Sequence, residues 1–256
     1  MTAPIPNYPI YNFNKGIQYI FGLELTRTSN TVLAMAVGQA RSQYNVNDII
    51  LSTAATLNSA INGAGGLDSG AIAASTLYAI HVISSSTSAA DTSTLLSTSA
   101  TDPVLPLNYD MFCRVGWVYT DGSSNFALGR WEGHGSERTY WYDTGVSELS
   151  AGTSATFAAV DVATSVPVSA TTAILTTTFN ANAAGDTFAL RPTGSASTDG
   201  IVILSAASAT ADEVKQCLAP VGVSSAIPSI DYKVTASGAL TILVAGYIDH
   251  LLAPLV

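Results

Sequence analysis

The sequence predicts an all-β protein: two antiparallel, jelly-roll-like β-sandwich domains preceded by an extended N-terminal peptide. Only 11% of the 256 residues are charged, and serine, threonine and alanine take the surface positions that charges would occupy. Threonine suits a half-exposed strand, whereas helix surfaces normally carry Glu, Lys, Gln and Arg. Strand-like runs with centres about ten residues apart, separated by Gly, Asn and Asp turns, are typical of sandwiches. We therefore expect little helix.

Residues 1–15 are expected to form an extended anchoring peptide. Prolines at positions 4, 6 and 9 fix φ and disfavour helix at the residues before them. The segment is either a partly disordered terminus or a strap whose aromatic side chains dock into a neighbouring subunit. The candidate docking residues are Tyr8, Tyr11 and Phe13.

The first sandwich is expected to span residues 16–147. The continuous apolar run Leu77–Ile83 predicts a central strand, and the pair Asp121-Gly122 predicts a hairpin turn. The runs that predict its strands lie at 17–21, 23–25, 31–37, 47–51, 77–83, 94–98, 113–120 and 125–128.

The second sandwich is expected to span residues 148–256, because aromatic and charged residues give way there to a Ser/Thr/Ala-rich composition. Residues 211–218 invite a helical turn, since Asp212 and Glu213 lie near its start and Lys215 follows. The predicted strands are 156–161, 173–179, 187–191, 201–206, 230–235 and 240–248.

Composition and charge argue against several function classes. The net charge is −9 and the nine Lys and Arg residues are dispersed, so no basic stripe is available for a nucleic-acid backbone. No apolar run reaches the roughly 18–20 residues that cross a bilayer, and no signal peptide is recognisable, so we expect synthesis in the cytoplasm and no membrane insertion. A surface with so few charges suits burial against other copies of the chain.

Metal and cofactor sites are not expected. Cys113 and Cys217 are each isolated, which favours free, buried thiols, with a disulfide between the two halves as the alternative. His81, His134 and His250 also occur singly, without metal-ligand spacing.

No catalytic residue is assigned, and we expect a protein that is not an enzyme. The serines include no GxSxG nucleophile elbow. Glu132, Glu137, Asp143 and Glu148 are close in sequence, but only a pair flanking a groove would support glycoside hydrolysis, and the sequence does not place them.

The polar and aromatic segment 129–143 is the candidate contact surface. Trp, Tyr and Arg are favoured both at protein interfaces and against sugar rings, so it predicts a subunit interface or a glycan site. A glycan site requires an exposed, coplanar pair among Trp131, Trp141 and Tyr142. Alternatively, these aromatics cap the first sandwich and cover its seam with the second. The candidate residues are Arg130, Trp131, Tyr140, Trp141 and Tyr142.

The stretch 75–126 resembles a module of tailed-bacteriophage and prophage virion proteins. Those proteins carry a similar run, LxSTSATxPxLPxxYdxfRRIGwvxTDxSgN, which here begins at Leu95 and ends at Asn125. Cys113 stands where an arginine is usual. The likeness covers roughly residues 16–145 and fades in the second half, apart from 190–194 and 245–248. Within the run, Arg114 lies beside large apolar residues and needs a carboxylate or carbonyl partner.

The resemblance implies a virion structural protein, most simply a tail or head fibre subunit or an adaptor that attaches a fibre. It implies a trimer, contacts with tail, neck or capsid proteins, and no catalytic residue. A capsid decoration protein is the nearest structural alternative. A carbohydrate-binding receptor module that contacts host glycans is a further alternative, and an enzyme that depolymerises them is a third.

Overall fold

The computed structural model describes residues 19–43, 45, 47–88, 91–208, 212–224, 227–235 and 238–251. These residues form strands, turns and loops without a helix, which confirms the predicted all-β fold class. Accordingly, the described part of the chain has no helix suited to crossing a membrane. The expected anchoring peptide, with Tyr8, Tyr11 and Phe13, lies outside the described residues.

The described residues contain short strands in the first half and longer strands in the second. The first ten are β1 (Ile20–Gly22), β2 (Leu25–Arg27), β3 (Val32–Met35), β4 (Gly38–Arg41), β5 (Asp48–Leu51), β6 (Ala55–Asn58), β7 (Gly66–Leu67), β8 (Leu77–Ser84), β9 (Thr92–Ser97) and β10 (Met111–Tyr119). The rest are β11 (Gly129–Glu132), β12 (Glu137–Gly152), β13 (Ala158–Asp161), β14 (Ala170–Asn180), β15 (Thr187–Pro192), β16 (Val202–Ser205), β17 (Asp212–Pro220), β18 (Gly222–Ser224), β19 (Ile227–Val234) and β20 (Ala239–His250).

These strands form five sheets. Two small N-terminal sheets have the orders β1-β4-β5 and β2-β3-β6. The central sheet has the order β10-β8-β9-β7, with a parallel pair only between β7 and β9. The long sheet is β11-β12-β20-β14-β17, and the C-terminal sheet is β13-β19-β15-β16 with β18 beside β19.

The central sheet is buried on both faces. Ile80 and Val82 of β8 pack with Val115 of β10 against the small N-terminal sheets. Trp117 and Tyr119 point the other way, into the core shared by the long and C-terminal sheets. This two-sided burial explains why the run Leu77–Ile83 is continuously apolar, and the predicted central strand is confirmed by its pairing with both β9 and β10.

The long sheet and the C-terminal sheet pack face to face as a sandwich. Leu175, Phe179 and Val244 of the long sheet contribute to one core with Phe188 and Leu190 of the C-terminal sheet. β17 and most of β20 alternate between the core and the outer side, as expected for a sheet with one face buried, whereas β15 and β19 carry continuous buried runs.

The predicted helical turn at 211–218 is wrong where the structure describes it. Residues from Asp212 onward form β17, which pairs with β14 along its whole length. Cys217 and Ala219 point to the core while Val214 and Leu218 are exposed, so the segment has strand periodicity. Pairing with a distant strand outweighs the helix-like charge order.

The position 147/148, expected as a domain boundary, falls inside β12. This strand pairs with β20 on both sides of that point, at Glu137–Trp141 and again from Val146 to Gly152, with irregular register between. The N-terminal core instead ends at Phe126, apart from Leu251. Trp131 packs against both cores, so the halves meet at β11.

The predicted hairpin after β10 forms only as a tight turn. Asp121 N donates to Asn125 O, and Thr120 and Phe126 form an isolated antiparallel bridge. The expected strand at 125–128 does not extend beyond that bridge, and pairing resumes with β11.

Candidate functional site

The polar and aromatic segment forms a hairpin of β11 and the first part of β12. Arg130 lies opposite Trp141 and Trp131 opposite Tyr140, so the two tryptophans point to opposite faces of the long sheet. Trp131 and Trp141 therefore do not form the exposed, coplanar pair that a glycan site would require.

Three of the five predicted contact residues point inward. Tyr140 and Tyr142 are buried, with ring centroids 4.8 Å apart, and Tyr140 stacks on Tyr247 at 5.6 Å. The Tyr142 hydroxyl donates to Ser165 O at 2.6 Å, and Trp131 Nε1 donates to a carbonyl of β10. Burial raises the pKa of both Tyr140 and Tyr142 well above the usual range. These side chains cap the core and fill the seam between the halves.

Of the five predicted contact residues, Arg130 and Trp141 point to the solvent side of the long sheet. Arg130 Nε pairs with Glu132 Oε1 at 2.8 Å, and Trp141 Nε1 donates to Glu132 Oε2 at 2.9 Å. The Arg130 guanidinium lies 5.8 Å from the Trp141 ring centroid. The Arg130 side chain is 62% exposed. Arg130, Glu132 and Trp141 together present one aromatic ring, so they can make one stacking contact but not a two-ring sugar platform.

A cleft of about 510 Å³ lies between the turn after β10 and the irregular middle of β12. We call it the Arg27 cleft; its polar lining is Arg27, Asn30, Tyr119, Asp121, Asn125, Tyr142 and Thr144. Arg27 is held by bonds to Phe126 O and Asn30 Oδ1. Backbone amides of Asn125 and Ser123 bind the Asp121 carboxylate and, with Arg27, lower its pKa. Among the described residues, none hydrogen-bonds the hydroxyl of Tyr119, which is a buried residue at the cleft wall.

The Arg27 cleft was not predicted because its polar groups come from three segments that are separate in the sequence, 27–30, 119–125 and 142–144. Guanidinium, amide, carboxylate and phenol groups beside aromatic rings suit a polyhydroxylated ligand. The sequence singled out the Asp121-Gly122 turn and Tyr142, but it did not bring them together.

A second unpredicted feature is a buried ionic connection between the halves. Arg114 Nη1 pairs with Asp249 Oδ2 at 2.8 Å, and its Nη2 donates to Leu251 O at 3.2 Å. Arg138 is also buried and donates to Gly22 O and Leu23 O, both at 2.8 Å. The need of Arg114 for a carboxylate and carbonyl partner is confirmed, although the sequence did not identify Asp249.

The histidines lie apart. His81 is fully buried and its Nε2 lies 3.1 Å from Ser99 O; burial lowers its pKa to about 4. His134 lies 3.8 Å from Glu24, and His250 lies 3.6 Å from Glu137. Within the described ranges, no three His, Cys, Asp or Glu side chains are grouped as a metal site would require.

Of the four acidic residues considered for sugar hydrolysis, Glu148 is the one whose pKa is raised by burial. It accepts a hydrogen bond from Ser165 Oγ, and burial raises its pKa to about 7. Glu132 is occupied by Arg130 and Trp141, and Glu137 by His250. None of the four lines the Arg27 cleft.

Both cysteines are free. Cys113 is buried and Cys217 is half-buried against the core of the second half. Burial raises the pKa of the Cys113 thiol to about 12 and that of Cys217 to about 11. Neither thiol is thereby activated as a nucleophile.

No family model matches the sequence, no curated protein matches it, and no solved structure matches its fold.

Proposed function

We propose that the protein is a structural subunit of a tailed-phage particle, acting as a fibre or as an adaptor that attaches a fibre. The observation that carries the proposal is how the side chains bond within the run that resembles virion proteins. Its polar side chains bind the protein's own backbone and neighbouring strands, as a scaffold requires.

The Ser-Thr-Ser-Ala-Thr part of the run fixes the loop after β9. Ser97 Oγ donates to Asp68 Oδ2, and the same oxygen accepts the amide of Val104 at 3.2 Å. The amides of Ser99 and Asp102 bind the hydroxyls of Ser97 and Ser99. These bonds satisfy backbone amides of the proline-bounded loop. They do not place a reactive side chain in a cleft.

The Arg-Val-Gly-Trp part of the run joins the two halves. Arg114 reaches Asp249 of β20, and Trp117 Nε1 donates to Ser169 Oγ at 3.0 Å. A rigid connection between two β units suits a protein that transmits force or holds position within an assembly.

Localisation on the particle tests the proposal. Antibodies raised against the purified chain should label gradient-purified virions of the encoding phage in electron microscopy, at the tail, neck or a fibre base. Label over the whole capsid would favour a decoration protein instead. A chain that stays in the lysate and is missing from purified particles would overturn the proposal.

The Arg27 cleft favours carbohydrate binding as a second candidate function. Tyr119→Phe removes only the unbonded hydroxyl and should weaken binding of host polysaccharide in calorimetry, while Trp141→Ala on the outer face should leave it unchanged. Loss of binding with Trp141→Ala alone would move the glycan site to the hairpin. No binding by the unaltered protein would remove this candidate.

A further inference from the structure

On the solvent face of the long sheet, outward residues of four strands form rows without a charge, although Asp143 is exposed on β12 between Trp141 and Ser147. Core residues such as Leu175 and Val244 point inward, so their neighbours along each strand point outward. In the register of the sheet, these outward residues lie side by side in four rows. The rows are Thr139, Ile248 and Thr172; Trp141, Gly246, Ile174 and Leu218; Ser147, Leu243, Thr176 and Gln216; and Thr241, Thr178 and Val214.

We call these four rows the outer face. All of its residues are described, and none of them carries a charge. Leu218 is 56% exposed and Val214 is 67% exposed. The two lie on β17 with Gln216 between them, and Ile174 beside Leu218 is only 6% exposed. Apolar side chains as open to solvent as Leu218 and Val214 are typical of a surface that another protein covers.

Charged residues border the outer face at its edges. Arg130 and Glu132 lie on β11, and the pair Glu137 and His250 closes one end. Asp212, bonded to Asn180, lies at the other end of β17. An uncharged centre inside a polar rim is the usual arrangement of a protein interface.

The free edge of β17 is protected, which directs association to the face. Glu213 and Lys215 pair at 3.0 Å on the inner side of this edge strand. Glu213 also accepts the amides of Ala207 and Ser208, and Pro220 ends the strand. Inward-pointing charges and proline are devices that prevent edge-to-edge pairing.

The size and neutrality of the outer face fit a second copy of this chain. Four strands, each about 4.8 Å wide, over nine residues of about 3.4 Å each, give about 600 Å² per copy, or about 1,200 Å² for a pair. That total is the lower limit of a standard interface. The net charge of −9 opposes self-association elsewhere, whereas here no like charges meet.

We propose that two copies associate by packing their outer faces against each other. A face that pairs with itself gives a twofold contact, hence a dimer, in place of the trimer expected from the resemblance. The inference does not depend on where the protein resides in a particle.

The test is the solution mass of the full chain, by sedimentation and light scattering over a dilution series. We expect a dimer for the unaltered protein and a monomer for Leu218→Lys, with unchanged circular dichroism. Ile203→Lys is the matched control, because Ile203 is 52% exposed on a strand of the C-terminal sheet; it should remain dimeric.

Three outcomes would overturn the proposal. A monomer at every concentration would do so, and removal of residues 1–18 then identifies the occupant: if the shortened chain dimerises, its own terminus covers the outer face. If the shortened chain is still monomeric, the face is left to a different protein. A dimer or trimer that survives Leu218→Lys would place the contact elsewhere.

Discussion

Two arginines have nearly the same contacts but opposite surroundings. Arg114 lies 5.4 Å from the Trp117 ring centroid and 2.8 Å from a carboxylate oxygen of Asp249. Arg130 lies 5.8 Å from the Trp141 ring and 2.8 Å from a carboxylate oxygen of Glu132. The first side chain is 3% exposed and joins the two halves, whereas the second is 62% exposed on the surface hairpin.

The difference shows that burial decides what an ion pair does. An exposed pair competes with water and salt, so removing one partner changes little. A buried pair leaves an uncompensated charge when one partner is removed, so the loss is large even where the intact pair adds little net stability. The same bond lengths therefore correspond to a structural connection in one region and to a replaceable surface contact in the other.

The largest expected effect is that of Arg114→Met. The change leaves the Asp249 carboxylate buried without its partner and should lower the free energy of unfolding by about 3–5 kcal/mol in urea titration. Arg130→Met is the matched control and should leave the midpoint nearly unchanged. Equal decreases in the free energy of unfolding for both variants would show that burial is not the cause.

The pH dependence of stability tests the same buried region, because His81 lies opposite Arg114 in the central sheet. Its pKa of about 4, against 6.5 for an ordinary histidine, means that the unfolded chain binds a proton that the folded chain does not. Stability should fall as pH falls from 6.5 to about 4, by a total of about 3 kcal/mol. His81→Gln should remove this part of the slope, and His134→Gln, on the exposed turn after β11, should not. A slope unchanged by His81→Gln would show that other groups cause it.

Gly246 tests how closely β12 and β20 pack behind the exposed hairpin. A Cβ at this position would lie 2.2 Å from Tyr140 O, so Gly246→Ala must shift the backbone and should cost about 1–3 kcal/mol in thermal unfolding. Gly122 is the control, because a Cβ there meets nothing within 4 Å. Similar stability of the two variants would contradict the close approach of these strands.

The smallest expected effect is that of Glu148→Gln. Its pKa of about 7, against the ordinary 4.5, means that the folded chain keeps a proton that the unfolded chain releases. That contribution is present below pH 4.5 and is lost as pH rises through about 7, so the variant should gain stability over the unaltered protein across this range. Glu132→Gln, at the exposed end of β11, should show no such gain. A difference between Glu148→Gln and the unaltered protein that does not change with pH would contradict burial of the carboxyl.

The sequence predicted the parts of the fold that local patterns determine. The apolar run Leu77–Ile83 reads as a buried strand without knowledge of its neighbours, and it is one. β12 was not predicted, because its alternation breaks at the irregular stretch around 142–145, where the ladder with β20 shifts register. The β17 segment was predicted to form a helical turn, because its strand partner β14 lies far away in the sequence.

The candidate site was only partly predictable, for the same reason. Composition identified the hairpin as rich in Trp, Tyr and Arg, but the direction of each side chain depends on the register with β20. A shift of one residue would have exposed Trp131 and buried Trp141. The Arg27 cleft and the Arg114 pair each join residues that only the tertiary fold brings together.

The most direct measurement is a pair of double-mutant cycles for unfolding in urea, one on Arg114 and Asp249 and one on Arg130 and Glu132. If Arg114 and Asp249 form the buried connection between the two hydrophobic cores, the first pair should show a coupling energy of about 1–3 kcal/mol. The second pair should then show none that can be measured. Equal coupling energies, or no coupling in the first pair, would contradict that role.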